Sequence, residues 1–161
     1  MPKERRILGL ISDTHGLLRE EAVRALKGVD LILHAGDVGA PEILAGLRAI
    51  APVVAVRGNV DGGEWGQALP LREVVVVGRA RIYMLHILQD LDIDPVAAEV
   101  DMVVSGHSHK PGQSEKNGVL YINPGSAGPR RFQMPVTIAK VDMNTEPWTV
   151  EFVQLEAGNK S

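Results

Sequence analysis

Apolar runs that stop abruptly at polar, glycine-bearing turns divide this chain into its elements. Residues 7–11, Ile-Leu-Gly-Leu-Ile, read as a buried strand. Residues 17–27 then place Leu18, Ala22, Ala25 and Leu26 at helical spacing, with Gly28 as a stop. A second strand over residues 29–33 completes a β-α-β unit, which implies a right-handed crossover and parallel strands. Pro41 opens a second helix carrying Ile43, Leu44, Leu47 and Ile50, and a third strand follows Pro52 as far as Val56. The glycine-rich stretch 57–69 predicts a loop on the pocket rim, with Trp65 as a wall of the pocket or as an anchor to the body.

From residue 73 the pattern changes to strand-like runs joined by tight turns. Residues 73–77 and 80–85 around Gly78-Arg79 predict a β-hairpin and with it a second, antiparallel sheet. A short helix is expected over residues 95–100, ahead of a strand over 101–105. Residues 114–116 and 119–122 flank Asn117-Gly118, the strongest hairpin signal in the chain. Strands over 136–141 and 148–155 are expected to close the second sheet. The fold class that follows is α/β: two packed mixed β-sheets flanked by helices, a four-layer α-β-β-α sandwich. The charged lead-in at residues 1–6 and the tail at 157–161 read as solvated ends.

Composition narrows the class without changing the picture. A length of 161 residues suits one domain over 1–161, and 45% hydrophobic with 23% charged residues is ordinary for a soluble globular chain. No apolar run approaches the roughly 20 residues of a membrane helix, and no secretory signal is visible. The absence of cysteine removes disulfides, thiolate zinc sites and a cysteine nucleophile, and fits the reducing cytoplasm. A net charge of −3 offers nothing specific to nucleic acid and no general attraction to anionic membranes.

Five predicted strands each deliver a metal-ligand type of side chain at the carboxyl end. They end on Asp13-Thr14-His15, Gly36-Asp37, Gly58-Asn59, His86 and Gly106-His107-Ser108-His109. In α/β sheets the carboxyl ends of strands are where ligands bind, so these groups are expected to converge. Two carboxylates, one amide oxygen and four imidazoles suit Mn²⁺, Fe, Zn²⁺ or Ni²⁺ better than Ca²⁺. Seven ligands exceed one tetrahedral zinc and match two metals that share a carboxylate.

As an ordered set, Asp-x-His, Gly-Asp, Gly-Asn, a lone His and Gly-His-x-His resembles the calcineurin-like metallophosphoesterase superfamily. Gly-Asn-Val-Asp at 58–61 and Asn-Pro-Gly-Ser at 123–126 are similar to its compact bacterial and archaeal phosphodiesterase branch, and the likeness runs from about residue 7 to 130. The resemblance implies two divalent metals, manganese ahead of nickel, iron or zinc. It assigns Asp13, His15 and His109 to the first metal, Asn59, His86 and His107 to the second, and Asp37 to both. It further implies hydrolysis of a small phosphodiester by a metal-bridging hydroxide, with Asp37, Asn59 and His107 as the catalytic residues.

Two departures matter. Val60 stands where relatives that use a general acid often carry a histidine, so a preference for good leaving groups is expected. Ile87 replaces the glycine that usually follows the lone histidine. His34 reads either as a partner that orients a ligand or as a core histidine, and Asp61 either as a brace for the Asn59 loop or as a turn residue. Arg130 and Arg131 are candidates for phosphate contact or plain solvated side chains. The alternative function is a catalytically weak or inactive scaffold on the same fold, as in the related retromer subunit, and homo-oligomerisation stays open. Seven intact ligand positions favour the enzyme.

Overall fold

A computed structural model describes residues 6–130 and 133–155; the lead-in through residue 5, Arg131 and the tail expected at 157–161 lie outside the described residues. Two five-stranded sheets face one another. The first has the order β10-β9-β1-β2-β3, from Ile7–Ile11 (β1), Leu31–His34 (β2), Val53–Ala55 (β3), Thr137–Asp142 (β9) and Thr149–Gln154 (β10). The second has the order β4-β5-β6-β8-β7, from Arg72–Val77 (β4), Ala80–Leu85 (β5), Met102–Val104 (β6), Gly112–Lys116 (β7) and Val119–Asn123 (β8).

Alternation along each strand assigns its faces. Leu8, Leu10 and Leu33 of the first sheet meet Ile82, Met84, Met102, Val104 and Ile122 of the second in a buried inter-sheet core. The other face of the first sheet carries Ile11 and Ile32 beneath Glu20–Ala25 (α1) and Pro41–Arg48 (α2), which contribute Ala22, Ile43, Leu44 and Leu47. Helix α1 comes close because Gly9 has no side chain: a Cβ there would lie 2.5 Å from Leu26 Cδ2. The outer face of the second sheet packs Tyr83, Leu85, Val103 and Val119 under Leu91, Ile93 and Ala98.

Three expectations need correction. Residues 137–142 and 149–154 complete the first sheet, where β9 runs antiparallel to β1 with Leu10 opposite Ala139. Strand β9 is buried on both faces, Ile138 towards the helices and Ala139 and Val141 between the sheets, so its pattern carries no cue to its partner. The second sheet is mixed, as the expected fold class has it, so the antiparallel pairing of the β4–β5 hairpin does not extend across it: β5, β6 and β8 run parallel. Residues 95–100 form turns instead of a helix: Val100 N–H bonds to Pro95 O at 2.8 Å, and Glu99 adopts a positive φ of 61° that ends the turn. One helical i→i−4 bond, Ala98 N–H to Asp94 O at 2.9 Å, forms before the left-handed Glu99 interrupts the run. The fourth layer is therefore this segment with a 3₁₀ turn at Leu88–Asp90.

Elsewhere the elements follow the pattern, with α1 shorter than the predicted 17–27 and a short helix, Gly63–Gln67 (α3), inside the expected loop. Trp65 packs against the helix-side core, which makes it an anchor. No helix among the described residues is long and apolar enough to cross a membrane.

Candidate metal centre

The loops after β1 and β2 are stitched together by their backbones. Asp13 N–H donates to Gly36 O at 2.9 Å, His15 N–H to Asp37 O at 3.0 Å and Gly16 N–H to Val38 O at 2.8 Å. The loop after β6 docks on these, because Gly106 N–H donates to His86 O at 2.9 Å and His107 N–H to Asp13 Oδ2 at 3.1 Å. At Gly106 any Cβ would collide with Ser12 Oγ and Asp13 Oδ2, and at Gly58 with the Asp37 backbone and carboxylate. These two glycines let the strand-end loops meet.

Two groups of potential ligand atoms result. Those of Asp13, His15 and His109 lie within 4.8 Å of one another, as do those of Asp37, His86 and His107. Asp37 Oδ2 stands between the groups, 3.1 Å from His86 Nε2 and 3.8 Å from His15 Nε2. Asp13 Oδ1 is likewise near three imidazoles, 3.3 Å from His109, 3.7 Å from His15 and 3.8 Å from His86. Asn59, from the loop after β3, shares with His86 the wall of an adjoining cavity of about 260 Å³.

The donor set fits divalent cations on a specific ground. Asp13 Oδ1, His15 Nε2 and His86 Nε2 are buried and make no hydrogen bond. Buried polar atoms in folded proteins are normally satisfied, so three unsatisfied ones facing a common centre mark where a positive ion belongs. Other atoms of Asp13, Asp37 and His86 are held by hydrogen bonds. Ser12 Oγ–H donates to Asp13 Oδ2 at 2.6 Å, Val60 N–H to Asp37 Oδ1 at 3.0 Å, and His86 Nδ1–H to Ala35 O at 2.7 Å. With Nδ1 so engaged, Nε2 is the ring nitrogen of His86 that is left for a ligand.

Backbone strain gathers at the same place. Asp13, His15, Asp37, His107 and His109 all take left-handed φ values between 50° and 73°. Each such residue costs of the order of 1–2 kcal/mol, and persists only where surrounding bonds over-determine it. Electrostatics are equally perturbed. Burial pushes the Asp37 carboxyl up, but His86, the Val60 N–H and the charge of His15 outweigh it and bring the pKa down to about 2. Burial opposes the charged form of His86, yet the adjoining Asp37 and Asp13 carboxylates raise its pKa overall.

The residues with two readings now separate. His34 is a buried, fully satisfied histidine bonded to the loops beside the ligand candidates rather than to their side chains: Gly36 N–H donates to its Nδ1 at 3.1 Å, and Thr14 Oγ1 lies 3.0 Å from its Nε2. Thr14 spends its hydroxyl hydrogen on Val38 O at 2.8 Å, so Nε2 carries the proton and donates. Asp61 is a brace, accepting from Val38, Gly39 and Gly58 N–H at 3.2, 3.0 and 2.9 Å. Ile87 takes φ −109°, ψ 113°, a region open to any residue, so no glycine is needed after His86.

Sequence reasoning missed Ser12 and Thr14 as braces, because a hydroxyl beside an acid carries no distinctive pattern. It also left open how residues 123–126 act. Asn123 Nδ2 donates to Gly106 O at 3.0 Å and Ser126 Oγ to Asp13 O at 3.1 Å, tying this loop to both halves of the site. Arg130 is exposed.

An α/β sandwich whose strand ends gather two facing carboxylate–imidazole groups is the architecture of metal-dependent phosphoesterases. The chain belongs to the calcineurin-like phosphoesterase superfamily, whose domain model matches residues 7–146. It is 32% identical over 149 residues to a probable metallophosphoesterase of Methanothermobacter thermautotrophicus, covering 84% of this chain and 86% of the relative. In fold it is similar to an archaeal phosphodiesterase, with a TM-score of 0.71 and 22% identity over 91% of this chain and 99% of that one. It is also similar to Vps29 of Chaetomium thermophilum, with a TM-score of 0.74 and 20% identity over 93% and 96% of the two chains.

Proposed function

We propose that the chain, acting as one domain over residues 1–161, is a binuclear-metal phosphodiesterase that hydrolyses a small phosphodiester. Asp13, His15 and His109 hold one divalent cation, Asn59, His86 and His107 the other, and Asp37 both. Manganese is the expected ion ahead of nickel, iron or zinc, and a cytoplasmic setting suits the cysteine-free chain. The observation that carries the reading is the trio of buried, unbonded atoms, Asp13 Oδ1, His15 Nε2 and His86 Nε2.

When bound, the cation pair supplies Lewis-acid polarisation of a phosphoryl oxygen and activation of water near neutral pH. The chain's own residues supply the geometry. Asp37 presents one carboxylate oxygen to both groups, and its low pKa keeps it ionised. Ser12 and the His107 N–H fix Asp13 so that Oδ1 turns inward, and the Ala35 carbonyl fixes the His86 tautomer. Val60, half exposed at the rim, supplies no proton to a leaving group. The archaeal phosphodiesterase of the same fold supports the diester over the monoester.

The test combines elemental analysis after Mn²⁺ loading with hydrolysis of bis(4-nitrophenyl) phosphate. The expected outcome is close to two metals per chain in the wild type and loss of turnover by several orders of magnitude in Asp37→Ala. A metal-free, inactive wild type would instead favour a protein-binding scaffold of the Vps29 kind.

A further inference from the structure

Beside the metal centre, the cavity of about 260 Å³ that Asn59 and His86 border is walled by Arg57 and Arg72. This is close to the lower end of the roughly 300–1,000 Å³ range of small-molecule sites. Arg57 directly precedes Gly58-Asn59, so the turn that carries Asn59 also places Arg57 on the cavity wall. Its Nε donates to Leu69 O at 3.2 Å, while its two terminal nitrogens make no bond within the described protein. Arg72 is anchored from the other side: Nη2 donates to Asp90 O at 2.9 Å and Nε pairs with Asp92 Oδ1 at 3.4 Å. Asp90 also lines the cavity and Asp92 offsets Arg72, so Arg57 is the guanidinium on this wall that no carboxylate among the described residues pairs. Asn59 and His86 are the two proposed metal ligands on this wall, and neither arginine belongs to the ligand set.

A planar guanidinium held at Nε, with its fork left open, is the geometry that grips a carboxylate or phosphate through two parallel hydrogen bonds. We propose that the Arg57–Arg72 cavity binds a second anionic group on the substrate, a phosphate or carboxylate on the ester arm that stays with the enzyme, so that the preferred substrate is a diester with a charged arm. This rests on the phosphodiesterase reading for the placement of the reacting phosphate. It assigns the substrate class through a binding residue that the metal ligands do not include.

The experiment is calorimetric titration of the manganese-loaded protein with two product-like monoesters, butyl phosphate and 3-phosphonopropyl phosphate. Both carry the same ester phosphate, and only the second carries an anionic arm. The wild type is expected to bind the two-anion ligand about tenfold more tightly. That preference should shrink to within about twofold in Arg57→Met and Arg72→Met and survive in part in Arg57→Lys, which keeps the charge and loses the fork. Equal affinities in the wild type would overturn the proposal, as would an Arg57→Met variant that keeps the preference. Arg57→Met weakening both ligands equally would place the arginine on the shared phosphate and overturn it too. Hydrolysis of 4-nitrophenyl butyl phosphate, run in parallel, tests the diesterase reading separately, so a binding preference without turnover sinks that reading and leaves the anion site standing.

Discussion

His34 shows how one side chain writes a pH dependence into the fold. Burial, aided by the charge of His86 beside it, drives its pKa from 6.5 down to about 3, so the native state keeps it neutral. Between those values the unfolded chain takes up a proton that the native state refuses. Stability is therefore complete above about pH 6.5 and is lost as pH falls towards 3, by up to about 1.4 kcal/mol per pH unit from this group. Urea midpoints between pH 7 and 4.5 should show a shallower slope in His34→Gln than in the wild type. Val60 carries the second residue-scale expectation. With no acid at that position, turnover of aryl phosphodiesters should fall steeply as leaving-group pKa rises, provided chemistry is rate-limiting. A flat plot would reveal a proton donor elsewhere in the site. The groups at the strand ends were legible as types and positions, whereas the tautomer of His34 depends on Gly36 and Thr14, contacts that no spacing encodes.

At the scale of the element, the unit of the site is the loop after a strand, and Asp61 couples two such loops. Its carboxylate, buried within the loop that carries Asn59, accepts from Val38 and Gly39 beyond β2 and from Gly58 beyond β3. Asp61→Ala leaves three N–H groups without acceptors and is expected to cost about 2–4 kcal/mol, with weakened metal binding, while Asp61→Asn recovers part of both. Chemical denaturation and metal titration of the two variants measure this. Strand periods were readable because apolar runs end sharply at glycine-bearing turns. Helical expectations were poorer for short segments: residues 95–100 have apolar positions, but Glu99 in a left-handed conformation breaks the run after one turn.

On the scale of the whole molecule, each candidate metal group joins the two sheets. Asp13 and His15 come from the first sheet and His109 from the second; Asp37 comes from the first, His86 and His107 from the second. Cations bound there staple the sandwich, so Mn²⁺ at a hundredfold excess over its Kd should raise stability by about 2.7 kcal/mol, and Asp37→Ala should abolish most of the gain. Thermal melts with and without chelator measure it. Strands, the turns between them and the groups at their ends are encoded locally, because period, glycine and proline act over a few residues. That β9 and β10 flank β1, that five of the ligand candidates are held in left-handed backbone, and that Arg57 and Arg72 wall one cavity emerge only when the sheets pack. Those outcomes depend on which surfaces meet across long chain separations, and a strand buried on both faces carries no local mark of its partner.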